Sequence, residues 1–280
     1  MSAQILDGKL LAQQMRQRLR QARDQLGQRP VHLVSIEIGQ NPAAAVYVRN
    51  QQRAAAEVGI AMEVRNLAIG TTQAQLVTAI GELNARPEVT GILVQRPLPP
   101  GIDPRTVQTA ILPTKDVEGM HPENMGAILY REPALPPCTA AAAQHLIVAT
   151  GIDLRGAETV VVGHSEIIGK PIAILLLHHL STVTVCHVGT RKLIDHTRRA
   201  DILVVAVGKA GLVHGDMIKP GACVIDVGIN QAADGRIVGD VDFASANEVA
   251  GFLTPVPGGV GPVTVAMLLR NTLRAAGAAI

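Results

Sequence analysis

The chain has 280 residues, 48% of them hydrophobic, with 1% aromatics and a formal net charge of +2. That supplies a sizeable core for one large or two ordinary domains. It excludes the charged, aromatic-rich footprint of a nucleic-acid binder. No apolar run reaches membrane-spanning length and the N-terminus lacks a secretory pattern. A cytoplasmic protein without nucleic-acid or membrane partners is therefore expected. Cys138, Cys186 and Cys223 are odd in number and far apart, with no C-x-x-C. They read as reduced packing residues, and no metal site is expected.

Residues 5–27 carry Leu10, Leu11, Met15, Leu19 and Leu26 among Gln and Arg, the pattern of an amphipathic helix. Pro30 precedes a strand over 31–38 that ends at Gly39. Asn41 and Pro42 start a second helix, which runs through Tyr47 and Arg53 to Val58 before Gly59 stops it. A strand over 63–67, a helix over 72–84 and a strand over 91–95 follow. The last stops at Arg96-Pro97-Leu98-Pro99-Pro100, because proline cannot donate to a ladder. A helix over 140–149 leads onward.

Thr159 to Val162 is a β-branched strand broken by Gly163 and Ser165; Gly169 and Pro171 open an apolar helix over 172–180. Further strands cover 182–186, 201–208 and 222–228, and a final helix covers 263–276 after the Pro/Gly run Thr254 to Pro262. Short β-branched strands with room for crossovers predict α/β organisation and a doubly wound parallel sheet. Two domains are expected, 1–139 and 140–262, with residues 263–280 packing back onto the first.

Strand, glycine turn and helix is how dinucleotide sites begin: glycine admits the backbone to a pyrophosphate, and the helix start offers N–H groups. The fingerprint is imperfect. Gly163, Ser165 and Ile168 occupy its three glycine positions, and Gly169 comes one residue late. On spacing alone a plain strand-turn-helix stays open. The strand-end pairs Val207-Gly208 and Gly228-Ile229 are expected to add backbone contacts to a cofactor. The second strand ends in His187-Val188-Gly189, with no acid for a ribose hydroxyl, which points to NADP and leaves NAD open. Tyr47, Gln95 and the loop Lys115-Asp116-Val117-Glu118-Gly119 each have a bland reading as core, cap or turn. Their common place at or after strand carboxyl ends makes them site candidates.

Together these residues resemble the methylenetetrahydrofolate dehydrogenase/cyclohydrolase family of one-carbon folate metabolism. The motifs are Gly91-Ile92-Leu93-Val94-Gln95 with Pro97-Leu98-Pro99; Lys115-Asp116-Val117 with Gly119; Gly163-x-Ser165 with Gly169-x-Pro171; Asp226 to Asn230; Val238 to Val241; and Thr254 to Pro262. The resemblance implies two α/β domains with a cleft between them for folate, the second Rossmann-like and binding NAD(P). It implies an oxidoreductase that passes a hydride from the one-carbon bridge to nicotinamide, a hydrolase step in which water opens the methenyl ring, and a homodimer. Tyr47, Gln95, Pro97, Leu98, Glu118, Pro257, Gly258, Gly259 and Pro262 are the implied substrate positions. His164, where the family often has arginine, and the nearby Arg191 are implied for a 2′-phosphate.

The departures carry equal weight. Where the family has a catalytic lysine one turn after its tyrosine, this chain has Gln51; where it has a pterin-binding aspartate, this chain has Glu118. Ala44 replaces a usual serine, Arg96 a usual leucine, and Pro137-Cys138-Thr139 runs into Ala140 and Ala141 where the family has proline and glycine. Tyr47, Gln51, Gln95 and Glu118 occupy the catalytic positions. An amide does not titrate near neutral pH, so Gln51 cannot act as general acid or base. A dehydrogenase with weak or lost cyclohydrolase activity is the first expectation. An oxidoreductase on another C=N or C–N substrate, or a non-catalytic relative, stays open.

Overall fold

In the computed structural model the chain forms two compact units, residues 1–12 with 139–264 and residues 13–138 with 265–280. The structure describes residues 2–39, 42–130 and 134–280. Asn41, expected to open the second helix, lies outside the described residues, as does the side chain of Ala44. In chain order the elements are β1 (Gln4–Ile5), α1 (Gly8–Gln25), β2 (His32–Ile38), α2 (Pro42–Val58), β3 (Ala61–Leu67), α3 (Gln73–Ala85), β4 (Gly91–Val94), α4 (Pro104–Ala110), α5 (Pro122–Tyr130) and α6 (Cys138–Ala149). Then come β5 (Glu158–Val162), α7 (Gly169–Leu177), β6 (Thr182–Cys186), α8 (Leu193–Thr197), β7 (Ile202–Val205), β8 (Cys223–Asp226), β9 (Asn230–Gln231), β10 (Ile237–Val238), α9 (Phe243–Asn247), β11 (Phe252–Leu253) and α10 (Val260–Ala275).

The unit built on residues 13–138 and 265–280 holds a parallel three-stranded sheet, ordered β3-β2-β4. Val34 and Ile36 of β2 and Ile92 and Val94 of β4 pack on Leu76, Ile80 and Leu83 of α3. Thr72 and Gln75 close α3 at its start with a capping box. At its end, Lys115 Nζ donates to the carbonyls of Leu83, Asn84 and Arg86, 2.7–3.2 Å away, filling acceptors that a helix end leaves open. Asp116 accepts from the amides of Gly119 and His121 and from Asn124 Nδ2. Two members of the Lys115–Gly119 motif are thus architectural, and they hold the backbone that presents Glu118. Asn271 of α10 donates to the Val117 and Pro136 carbonyls and so anchors the same loop.

The other unit carries a six-stranded, fully parallel sheet ordered β1-β11-β8-β7-β5-β6. Chain order reverses between β5 and β7, the switch point at which doubly wound sheets take ligands at their carboxyl edge. Residues 1–12 belong to this unit and not to a 1–139 domain. The cause is β1: Gln4 and Ile5 pair in register with Phe252 and Leu253. Two residues are too short for a pattern to show, and the same holds for β9, β10 and β11. No helix among the described residues is long and apolar enough to cross a membrane.

Candidate active site

In the unit of residues 13–138, α2 and the β-strand ends assemble a polar row. Gln51 is 2% exposed on α2. Gln95, one residue past β4, continues the ladder through its amide to the Ile36 carbonyl at 2.9 Å. Its Nε2 donates to Ser35 Oγ at 3.0 Å and to Gln51 Oε1 at 2.8 Å. With its oxygen thus engaged, Gln51 has its NH₂ free to bond the Tyr47 hydroxyl, and that hydrogen bond lowers the Tyr47 pKa. Burial around the hydroxyl outweighs it. Together with the charges of Cys138 and Glu118 it pushes the phenol up to about 12, although the residue as a whole is 41% exposed. Tyr47 therefore holds its proton at neutral pH. The row Ser35, Gln95, Gln51, Tyr47 is neutral throughout. Ser35 was missed from sequence; its only signal was a lone hydroxyl between Val34 and Ile36.

Glu118 supplies the titratable group. Desolvation pushes its carboxyl from 4.5 to about 7, with Asp116 adding to the rise and Arg96 opposing it. The stability consequence has a definite sign. Between about 4.5 and 7 the folded protein keeps a proton that the unfolded chain has released. Stability therefore falls as pH rises through that window. Glu118→Gln removes this contribution, so its unfolding free energy, followed by denaturant titration, should decline less steeply across the same range. An unchanged slope would exclude an acid that stays protonated in the fold. Cys138 is buried, with its thiol pushed well up by desolvation and the neighbouring carboxylates, and its Sγ lies 3.2 Å from the Val117 carbonyl. It is a packing thiol in this unit, and all three cysteines are free and buried.

Pro97 and Leu98 follow Gln95 after Arg96, and the Arg96-Pro97 bond is cis. Pro257, Gly258, Gly259 and Pro262 belong to the other unit, where the Val256-Pro257 bond is also cis. A Cβ on Gly8 would overlap the Gly259 carbonyl, so the start of α1 lies directly against this loop.

The switch point of the six-stranded sheet is built around close backbone approach. Gly163 ends β5 at φ +124°, and a Cβ there would overlap the carbonyl of Ala206, just past β7. A Cβ on Gly169 would overlap the Gly163 carbonyl. Gly169 therefore performs the helix-to-strand packing of a third fingerprint glycine, one residue later than the fingerprint places it. Ser165 Oγ accepts from the amides of Ile168 and Gly169 at 3.2 and 3.4 Å, and so covers the first amides of α7. His164 meets His187 from the end of β6, ring centroids 5.2 Å apart. Arg191 is exposed shortly after. Val188, Val207 and Ile229 are exposed apolar side chains beyond three strand ends. The amides of Val207 and Gly208 donate to Asp240, and that of Gly228 to Asp226. The amides of Val207, Gly208 and Gly228 are thus already engaged within the protein.

A family model described as "Tetrahydrofolate dehydrogenase/cyclohydrolase, NAD(P)-binding domain" matches residues 137–280, and one for the catalytic domain of the same family matches residues 6–118. The chain belongs to the tetrahydrofolate dehydrogenase/cyclohydrolase family. It is 53% identical to the bifunctional protein FolD of Rhodobacter capsulatus, over 97% of this chain and 92% of that one. It is 49% identical to the FolD of Moorella thermoacetica over 99% of both. Among solved structures, the bifunctional FolD of Campylobacter jejuni superposes with a TM-score of 0.95 at 41% identity, covering 99% of each chain. The Trypanosoma brucei enzyme, described as complexed with NADP cofactor and inhibitor, gives 0.94 at 38% identity, covering 99% of this chain and 98% of that one. For a tetrahydrofolate dehydrogenase/cyclohydrolase family member, the neutral row around Gln51 is the feature with chemical consequences.

Proposed function

We propose that this family member works as an NADP-dependent methylenetetrahydrofolate dehydrogenase in which the cyclohydrolase step is weak or lost. The observation that carries the reading is the buried Gln51, its amide oxygen 2.8 Å from Gln95 Nε2. An amide in this place can orient a substrate by hydrogen bonds but cannot shuttle a proton to a water. Tyr47 with its proton retained, and Gln95 behind it, are the positioning donors for the substrate's one-carbon end. Hydride transfer rests on holding two rings in place and is less exposed to the loss of a titrating group.

The residues at the β5–β7 switch point fit a dinucleotide, because Gly163 and Gly169 let the end of β5, the loop after β7 and the start of α7 approach one another closely at the carboxyl edge of the sheet. Gly163, Ser165, Ile168 and Gly169 would hold its pyrophosphate, and His164 with Arg191 a 2′-phosphate. When bound, NADP supplies the hydride acceptor. A second reading, another C=N or C–N substrate, draws on Arg96, whose charge acts on Glu118. We further read the protein as a cytoplasmic homodimer. Support comes from free, buried cysteines and from exposed Val148, Leu177, Leu180 and Val185 on α6, α7, the turn after it and the edge strand β6.

The test is an anaerobic assay with methylenetetrahydrofolate and each cofactor, following methenyl formation and decay separately. NADP reduction with accumulating methenyl product is the expected result. Enzyme-dependent methenyl decay would remove the lost-cyclohydrolase part, and no reduction with either cofactor would turn attention to other substrates. Sedimentation of the same preparation should give twice 29.4 kDa; a single-chain mass removes the dimer.

A further inference from the structure

Three consecutive amides, Val207, Gly208 and Lys209, point at a single carboxylate. Val207 and Gly208 donate to Asp240 Oδ2 at 2.6 and 3.0 Å, and Lys209 donates to Oδ1 at 2.8 Å. Asn230 Nδ2 adds a fourth bond at 2.9 Å. Successive amides converging on one point form an anion nest, the device by which loops take phosphates. Here the protein fills it with its own side chain, which is fully buried. A second carboxylate locks the first: Asp226 accepts from the amides of Gly228, Asp240 and Val241 at 2.9–3.0 Å. Thr254 Oγ1 takes the Asp226 amide at 2.7 Å. The fit leaves no slack. A Cβ on Gly228 would overlap the Asp240 carboxylate, and one on Gly239 would overlap that of Asp226.

We propose that Asp240 is a positioning residue for the cofactor: by occupying the nest it fixes the Ala206–Lys209 loop as one wall of the switch-point crevice and denies those amides to the pyrophosphate. This rests on the dinucleotide reading above. The loop it fixes begins at Ala206, whose carbonyl lies against Gly163, so the two lips of the crevice are set against each other through that contact. Phosphate contacts then fall to the Gly163–Gly169 side, while the 206–209 wall presents the exposed Val207 side chain. Asp240→Ala empties the nest but leaves its three donors in place, and a small carboxylate has the chemistry to refill it.

The experiment is a fluorescence or calorimetric titration of NADP on the full chain, with circular dichroism confirming the fold. Asp240→Ala should weaken NADP binding about tenfold or more, since the four hydrogen bonds that hold the loop on this side chain are lost together. Added formate should restore much of the affinity in the variant while leaving the wild type unchanged. Unaltered NADP affinity in Asp240→Ala overturns the proposal, as does weakened affinity that formate does not recover, which marks general loosening. Should Asp240→Ala fail to fold, Asp240→Asn, which keeps one acceptor oxygen, should show the same direction with a smaller loss; no loss there is equally fatal. A wild-type protein that binds neither NADP nor NAD defeats the dinucleotide reading itself, an outcome distinct from wild-type binding with an indifferent Asp240.

Discussion

Methenyltetrahydrofolate offered to this protein should decay at close to its uncatalysed rate, and Gln51→Lys alone should leave that rate within a few-fold. A positioned proton-transfer group is worth roughly 10²–10⁴-fold, so the deficit set by Gln51 is large. The reason a lysine alone does not recover it lies beside it. Position 51 is 2% exposed, and Glu118, with its carboxyl at about 7, is coupled to the same Tyr47. A lysine there would be a buried donor with no acceptor function, and Gln95 would have to turn its oxygen toward it. Ionised Glu118 would pair with that ammonium and keep it protonated. The carboxylate also reaches one methylene further than an aspartate, and a misplacement near 1 Å can cost about 10²-fold. Gln51→Lys with Glu118→Asp should therefore exceed the sum of the two single changes, in free-energy terms, in a double-mutant cycle on methenyl hydrolysis. Full rescue by Gln51→Lys alone would show a folate site missing a single group. Failure of the double change, with folate affinity also absent, would favour another substrate.

The second large effect separates glycines from serine at the β5–α7 turn. Gly163→Ala places a side chain at φ +124° and against the Ala206 carbonyl, and any side chain at Gly169 meets the Gly163 carbonyl. Both changes should destabilise the protein by on the order of 2–4 kcal/mol, the range expected for backbone strain and overpacking, and abolish NADP binding. Neither isolates the cofactor, because both damage the unit. Ser165 is exposed and closes α7 only through two long hydrogen bonds. Ser165→Leu should cost about 1 kcal/mol, the worth of a cap, and weaken NADP binding on the order of 100-fold by filling the approach. Thermal unfolding read beside NADP titration distinguishes the cases. A stable Ser165→Leu protein with wild-type NADP affinity would place the cofactor elsewhere.

Much of this was legible in the chain, because local signals decide it. Runs such as Thr159–Val162 and Thr182–Cys186 are β-branched and apolar enough to be strands wherever they sit, and their carboxyl ends are where ligands gather. Gly163, Gly169, Tyr47 and Gln95 could be singled out by residue type at or after strand ends and in turns, whereas Gln51 and Glu118 stood out only through the resemblance to the family, as departures from its pattern. Ser35 could not, since a hydroxyl within an apolar strand has meaning only once the Gln95 side chain, just past the end of the neighbouring strand, donates to it.

The sequence by itself determined the residue chemistry: an amide at position 51, where the family resemblance implies a lysine, glycines in the turn after β5, and no acid after the strand that ends at Cys186. Tertiary structure alone decided what each group meets. It placed residues 1–12 with the six-stranded sheet, because two residues of β1 find their ladder on β11 and no two-residue pattern announces its partner. It turned Lys115 and Asp116 into supports for helix and loop, since the acceptors and donors they satisfy lie on elements distant in sequence or exposed only by the turn. And it closed the amides of Val207 and Gly208 onto Asp240, more than thirty positions away in the chain, because three loops converge there and buried amides and carboxylates must find partners.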